Sequence, residues 1–199
     1  MQICTCNRSL IREVNMNPTY TLPPKERVCC FTGHRDLSKE EYLRIRPILQ
    51  ETIEKLYANG VDTFIAGGAI GFDTMAATEI INLQHKLYPG LKLILAIPCE
   101  GQDKSWSPLD RALYHEIRRY ATAEFVLAPH YYQGCMHRRN DFMVANSSHL
   151  IAFVKRSGGG SAYTLKAAQK KGLAICNLAE LPAPPSLYFP SAQGQFEIT

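Results

Sequence analysis

The run Leu91-Lys92-Leu93-Ile94-Leu95-Ala96-Ile97 is almost wholly apolar, and Pro89-Gly90 and Pro98 bound it closely. A segment this short and this apolar reads as a strand buried on both faces. Such strands belong to parallel sheets covered by helices on both sides. Val28 to Thr32, Val61 to Ala66, Glu124 to Leu127, Leu150 to Val154 and Leu173 to Cys176 are further short apolar runs. Longer amphipathic stretches separate them, at 38–59, 72–88, 108–120, 136–147 and 162–171. This alternation predicts an α/β, Rossmann-like, doubly wound and mostly parallel sheet in a single domain.

Local signals support the same boundaries. Ser38 with Glu41 three residues on is a capping box, and Asn59-Gly60 stops the helix that follows. Pro47 falls inside that helix, where a kink is expected. Residues 1–27 are mixed and polar, end in Pro23-Pro24, and read as a poorly ordered arm. Residues 181–199 carry Pro182, Pro184, Pro185 and Pro190 and read as an extended Pro-rich tail. The domain is therefore expected at 28–180.

Composition excludes several classes. With 46% hydrophobic and 20% charged residues over 199 positions, the chain matches one globular domain with an ordinary core. A net charge of +4 is too mild to argue for a nucleic-acid partner by itself. It favours an anionic ligand wherever positive groups converge. The seven cysteines are odd in number, and Cys29, Cys30, Cys99 and Cys176 sit in or beside apolar runs as small hydrophobes. Cys4 and Cys6 have no partners at zinc spacing, so no metal site is expected. The lack of a disulfide framework points to a reducing compartment. No run approaches the ~20 apolar residues of a membrane span, and 1–17 lacks a signal-peptide core. The expected location is the cytoplasm, with no membrane partner. Self-association is common for this architecture, and nothing in the sequence specifies it.

In a doubly wound sheet, ligands bind at the carboxyl ends of the strands. There the first strand delivers Thr32-Gly33-His34-Arg35, and the second delivers Gly67-Gly68-Ala69-Ile70-Gly71-Phe72-Asp73. Ser157-Gly158-Gly159-Gly160-Ser161 and Thr164 follow the fifth strand. Both glycine-rich turns open a helix, where bare backbone amides and the helix dipole suit a phosphate. Arg35 and one Arg of Arg138-Arg139-Asn140 supply charge. Asp73 is placed to bind a ribose hydroxyl or to cap its helix. Trp106, the single Trp, is placed to stack on a base or to pack on a neighbouring helix. Neither GxGxxG nor GxxxxGK[ST] is present. Asp36, Asp73, Glu79, Glu100 and Asp103 lie near the expected edge; Asp73 is the weak catalytic candidate among them.

Taken together, Thr32-Gly33-His34-Arg35, Gly67 to Asp73 with Ala76-Ala77, Arg139-Asn140 with Met143-Val144, and Gly158-Gly159-Gly160 with Thr164 resemble the YpsA-like (DUF1273) branch of the SLOG superfamily. That superfamily also holds LOG-type phosphoribohydrolases and the DNA-processing protein DprA. The resemblance covers roughly 28–180. It implies a Rossmann-like fold binding nucleotides or their derivatives, with no established reaction for this branch. LOG-type enzymes carry PGGxGTxxE, whose Glu acts on the N-glycosidic bond. Here the stretch runs Ser157 to Lys166 with no Glu after the glycines, and Ala145-Asn146 follows Met143-Val144 where the branch often has an acidic residue.

Three functions are therefore expected, in order. The first is binding or sensing of a small nucleotide derivative, such as ADP-ribose or a nucleoside phosphate, with no further cofactor. The second is a nucleotide N-glycosidase or transferase. The third is DprA-like binding of single-stranded nucleic acid.

Overall fold

The structure is a computed structural model that describes residues 20–181. Strands and helices alternate as β1 (Val28–Gly33), α1 (Lys39–Ala58), β2 (Thr63–Ala66), α2 (Phe72–Lys86), β3 (Lys92–Ile97) and α3 (Pro108–Tyr120). They continue as β4 (Ala123–Val126), α4 (Cys135–Ala145), β5 (His149–Phe153), α5 (Gly159–Lys170) and β6 (Ala174–Asn177). The six strands form one sheet in the order β4-β3-β2-β1-β5-β6, and every pairing is parallel.

That order explains the apolar runs. Side chains alternate across each strand, so a strand covered on both faces is apolar at most positions. Cys29 and Phe31 of β1 enter a core with Ile45, Leu49 and Ile53 of α1, Phe72 and Ile80 of α2, and Ile117 of α3. Val28 and Cys30 face the other way, toward Met143 and Val144 of α4 and Ala162 and Ala168 of α5. Three helices thus cover one face and two cover the other.

α1 runs from Lys39 to Ala58 with Pro47 inside it, and the Ser38–Glu41 capping box is formed in both directions. Two expectations change in detail. α5 starts at Gly159, inside the glycine run rather than after it. Tyr20 and Leu22 pack against the core beneath α4 and α5, and Arg27 pairs with Asp62. The packed unit thus begins ahead of Val28. The remainder of the expected arm, and the tail beyond Leu181, lie outside the described residues.

The chain winds outward from β1 to β4 and then returns to place β5 on the other side of β1. The loops after β1 and β5 therefore leave in opposite directions, and a crevice opens between them. This is the topological switch point at which doubly wound sheets hold ligands. Among the described residues no helix is long and apolar enough to cross a membrane.

Candidate functional site

A cleft of about 670 Å³ lies at that switch point, within the size range of small-molecule sites. Thr32, His34, Arg35 and Asp36 line it from the β1 side, Ala69 and Asp73 from the β2–α2 turn, and Arg156 to Ser161 from the β5–α5 turn. Met136, His137, Arg139, Asn140 and Met143 of α4 form the remaining wall.

The two glycine-rich turns do different jobs. Gly67, Gly68 and Gly71 do not line the cleft, and their turn spends its polar groups on the protein itself. The Phe72 amide donates to the His34 carbonyl at 3.1 Å. Ala69 N–H points at Asp73 Oδ2, 3.5 Å away. Gly67 is glycine because a Cβ there would overlap the Arg139 guanidinium, which donates to the Gly67 carbonyl. The second turn is open instead. A Cβ at Gly158 or Gly159 would meet nothing within 4 Å. Gly158 is the N-cap of α5 and provides no side-chain cap. Gly159, at φ +87°, takes a backbone conformation that other residues rarely adopt. The first-turn amides of a twelve-residue helix thus face the cleft with no side chain over them.

Arg139 and Asn140 lock these turns together from α4. Both are buried. Arg139 holds Gly67, while its Nε donates to Asn140 Oδ1 at 2.7 Å. The Asn140 amide nitrogen in turn donates to the Gly160 carbonyl at 3.4 Å. Asp73 Oδ2 lies 3.8 Å from the Arg139 guanidinium. Burial pushes the Asp73 carboxyl above the usual range, and Arg139 with the Ala69 and Gly67 amides pulls it back.

His34 is a fixed element of the site. Its Nε2 accepts the Lys155 amide at 2.9 Å, so that nitrogen is unprotonated. The neutral ring then carries its proton on Nδ1, 3.3 Å from Ser161 Oγ. A protonated Nδ1 donates to the serine and cannot remove its proton. The pair is therefore not a nucleophile and its base. Burial lowers the His34 pKa, and the nearby Arg156 and Lys155 charges add to that. At the mouth, Arg156 reaches both Asp36 oxygens at 2.9 Å, and Lys155 pairs with Glu41 at 2.6 Å.

Several expected residues lie elsewhere. Trp106 packs against Tyr114, with ring centroids 5.2 Å apart, outside the cleft lining. Thr164 is fully buried and gives its hydroxyl to the Gly160 carbonyl at 2.9 Å. Glu79 joins α1 to α2 through Arg46 and Gln50, and Asp103 pairs with Arg111 and His115. Sequence reasoning passed over Met136, His137 and Arg156, and named Met143 only as part of the family motif. Arg156 carried one usable signal, its place between a strand end and the glycines. Asn177 was also missed. Its amide exchanges hydrogen bonds with the Val154 N–H and carbonyl at 3.0 and 3.1 Å, holding the start of the β5–α5 turn.

A family model, the YspA SLOG family (YpsA), matches residues 29–175. The chain belongs to the YpsA family of SLOG proteins. A UPF0398 protein of Shouchella clausii is 29% identical over 133 residues, covering 65% of this chain and 65% of the relative. The match thus takes in under two thirds of that relative's length. The SPbeta prophage-derived protein YoqJ of Bacillus subtilis is 29% identical over 147 residues, 64% of this chain and 82% of YoqJ. Among solved structures, DprA of Streptococcus pneumoniae superposes with a TM-score of 0.54 at 20% identity, covering 74% of this chain and 48% of DprA. DprA of Helicobacter pylori gives 0.54 at 20% identity, covering 77% and 67%. This YpsA-family chain therefore shares the DprA-like α/β fold.

Proposed function

We propose that the cleft binds a nucleotide or nucleotide-derived phosphate. The observation that carries this reading is the open start of α5. Three consecutive glycines present its first-turn amides to a cleft at the switch point, and the neighbouring Asn140 fixes the Gly160 peptide. A phosphate there gains bare N–H donors and the positive end of the helix dipole. Arg35 and Arg156 at the mouth add charge, and Thr32 and Asp73 on the floor offer partners for sugar hydroxyls.

The test is the thermal unfolding midpoint against AMP, ADP, ATP, NAD, ADP-ribose and a short single-stranded DNA. A ligand at 100 times its Kd stabilises by ~2.7 kcal/mol, a rise of roughly 5–10 °C at this size. Gly158→Val fits its backbone conformation and places a side chain over the amides, so it should abolish the rise. A flat panel removes the nucleotide reading. A shift by DNA alone, weakening steeply with salt, would favour nucleic acid instead. The solved H. pylori DprA is described as binding single-stranded DNA.

A second reading, N-glycosidic cleavage or transfer, draws on one feature. Asp73 is a buried carboxyl with a raised pKa that lines the cleft, as acid–base chemistry requires. Release of free base by the native chain, but not by Asp73→Asn, would establish it.

A further inference from the structure

The cleft is chemically divided. Its β1 and β5 loops carry Arg35, Asp36, Arg156 and the open α5 amides. Its α4 wall carries Met136, His137 and Met143 beside the buried Arg139 and Asn140, which hydrogen-bond to each other and to the glycine turns. At the α4 end His137, which lines the cleft, pairs with Tyr163 of α5, which stands behind it outside the lining, with ring centroids 4.5 Å apart. His137 lies in the first turn of α4 and Tyr163 just past the first turn of α5, and both are exposed. Tyr163 donates its hydroxyl to Asp141 at 2.9 Å, which fixes its ring against His137. A phosphate or sugar phosphate has no use for such a wall. Flat π-systems do, because a base stacks on aromatic faces irrespective of its hydrogen-bonding edge. The flexible thioether of the half-buried Met136 suits the same kind of surface.

We propose that His137, backed by Tyr163, forms a nucleobase-stacking subsite, so that the ligand is a nucleoside phosphate and not a base-free sugar phosphate or inorganic anion. The inference rests on the nucleotide reading of the cleft. The ligand then lies with its phosphate on the start of α5, its sugar over Asp73 and Thr32, and its base against the α4–α5 rim. Recognition by stacking admits purines and pyrimidines alike, with the larger purines bound more tightly.

Calorimetric titration with AMP, CMP and ribose 5-phosphate separates the two claims. Both nucleotides should bind about tenfold or more tightly than ribose 5-phosphate. The exposed double variant His137→Ala/Tyr163→Ala should keep its unfolding midpoint and its ribose 5-phosphate affinity while losing that advantage. Tyr163→Phe should retain it. Equal binding of all three ligands, or an advantage that survives in the double variant, overturns the stacking subsite and leaves the phosphate reading standing. Absence of binding by all three overturns the phosphate reading, and the subsite with it.

Discussion

The guanidinium of Arg139 occupies the space that a side chain at position 67 would need, and it closes that gap by donating to the Gly67 carbonyl. The turn after β2 is thus built around an arginine from the opposite side of the sheet. Asp73, Gly67 and Asn140 all depend on that one side chain for a partner.

Arg139→Ala should destabilise the fold by about 3–5 kcal/mol, because it strands the buried Asp73 carboxylate. Arg139→Lys should recover little, since an ammonium cannot reproduce the planar fork. Urea denaturation of the single variants and of Arg139→Met/Asp73→Asn checks this. The double variant should be more stable than Arg139→Ala, and equal stability would contradict the pairing.

The two glycine turns should respond oppositely to alanine. Gly67→Ala collides with Arg139 and should lower stability without needing any ligand to reveal it. Gly158→Ala meets open space and should leave stability within about 0.5 kcal/mol, while weakening ligand binding. Paired melting and titration curves for the two variants measure both effects.

His34 should make stability fall in mild acid. Its folded pKa lies below its unfolded value, so the unfolded chain binds the proton first. Stability is then full above about pH 6.5 and declines as pH drops from there toward the folded pKa. His149 shifts in the same direction through burial, so the difference between native and His34→Gln curves isolates the His34 share. A pH-independent difference between them would rule out the lowered His34 pKa.

Asp36 holds Arg156 at the mouth of the cleft. Both side chains are exposed, and screening leaves such a pair little weight in folding. Asp36→Asn should therefore leave the unfolding midpoint unchanged. It should tighten binding of an anionic ligand severalfold by freeing Arg156 and removing a like charge. The gain should shrink as salt rises, which titrations at two ionic strengths can follow.

The strands were legible because burial on both faces forces unbroken apolar runs, as in Leu93–Ile97. α1 was legible from its cap. The start of α5 was not, because glycine is a poor helix former and the sequence pattern starts the helix only at Ala162. First-turn residues need no intrahelical donor bond, so glycine is tolerated there. Local sequence also made the two glycine turns look alike. What separates them is Arg139, 72 residues from Gly67. Trp106 looked like a stacking residue because loops after strands often carry function; its contact with Tyr114 depends on how α3 returns to the sheet. His137 gave no signal, since its pairing with Tyr163 exists only once α4 and α5 lie side by side.

His34 and Lys155 are 121 residues apart in sequence, yet one hydrogen bond joins them beside the cleft. No N-terminal portion of the chain that lacks β5 contains a complete site, and closing so long a loop is entropically slow. The proposed binding surface is thus expected to form late in folding. A ligand that occupied it would have little to hold in the folding transition state, and should slow the escape of β5 from β1, lengthening the native lifetime without hastening its formation.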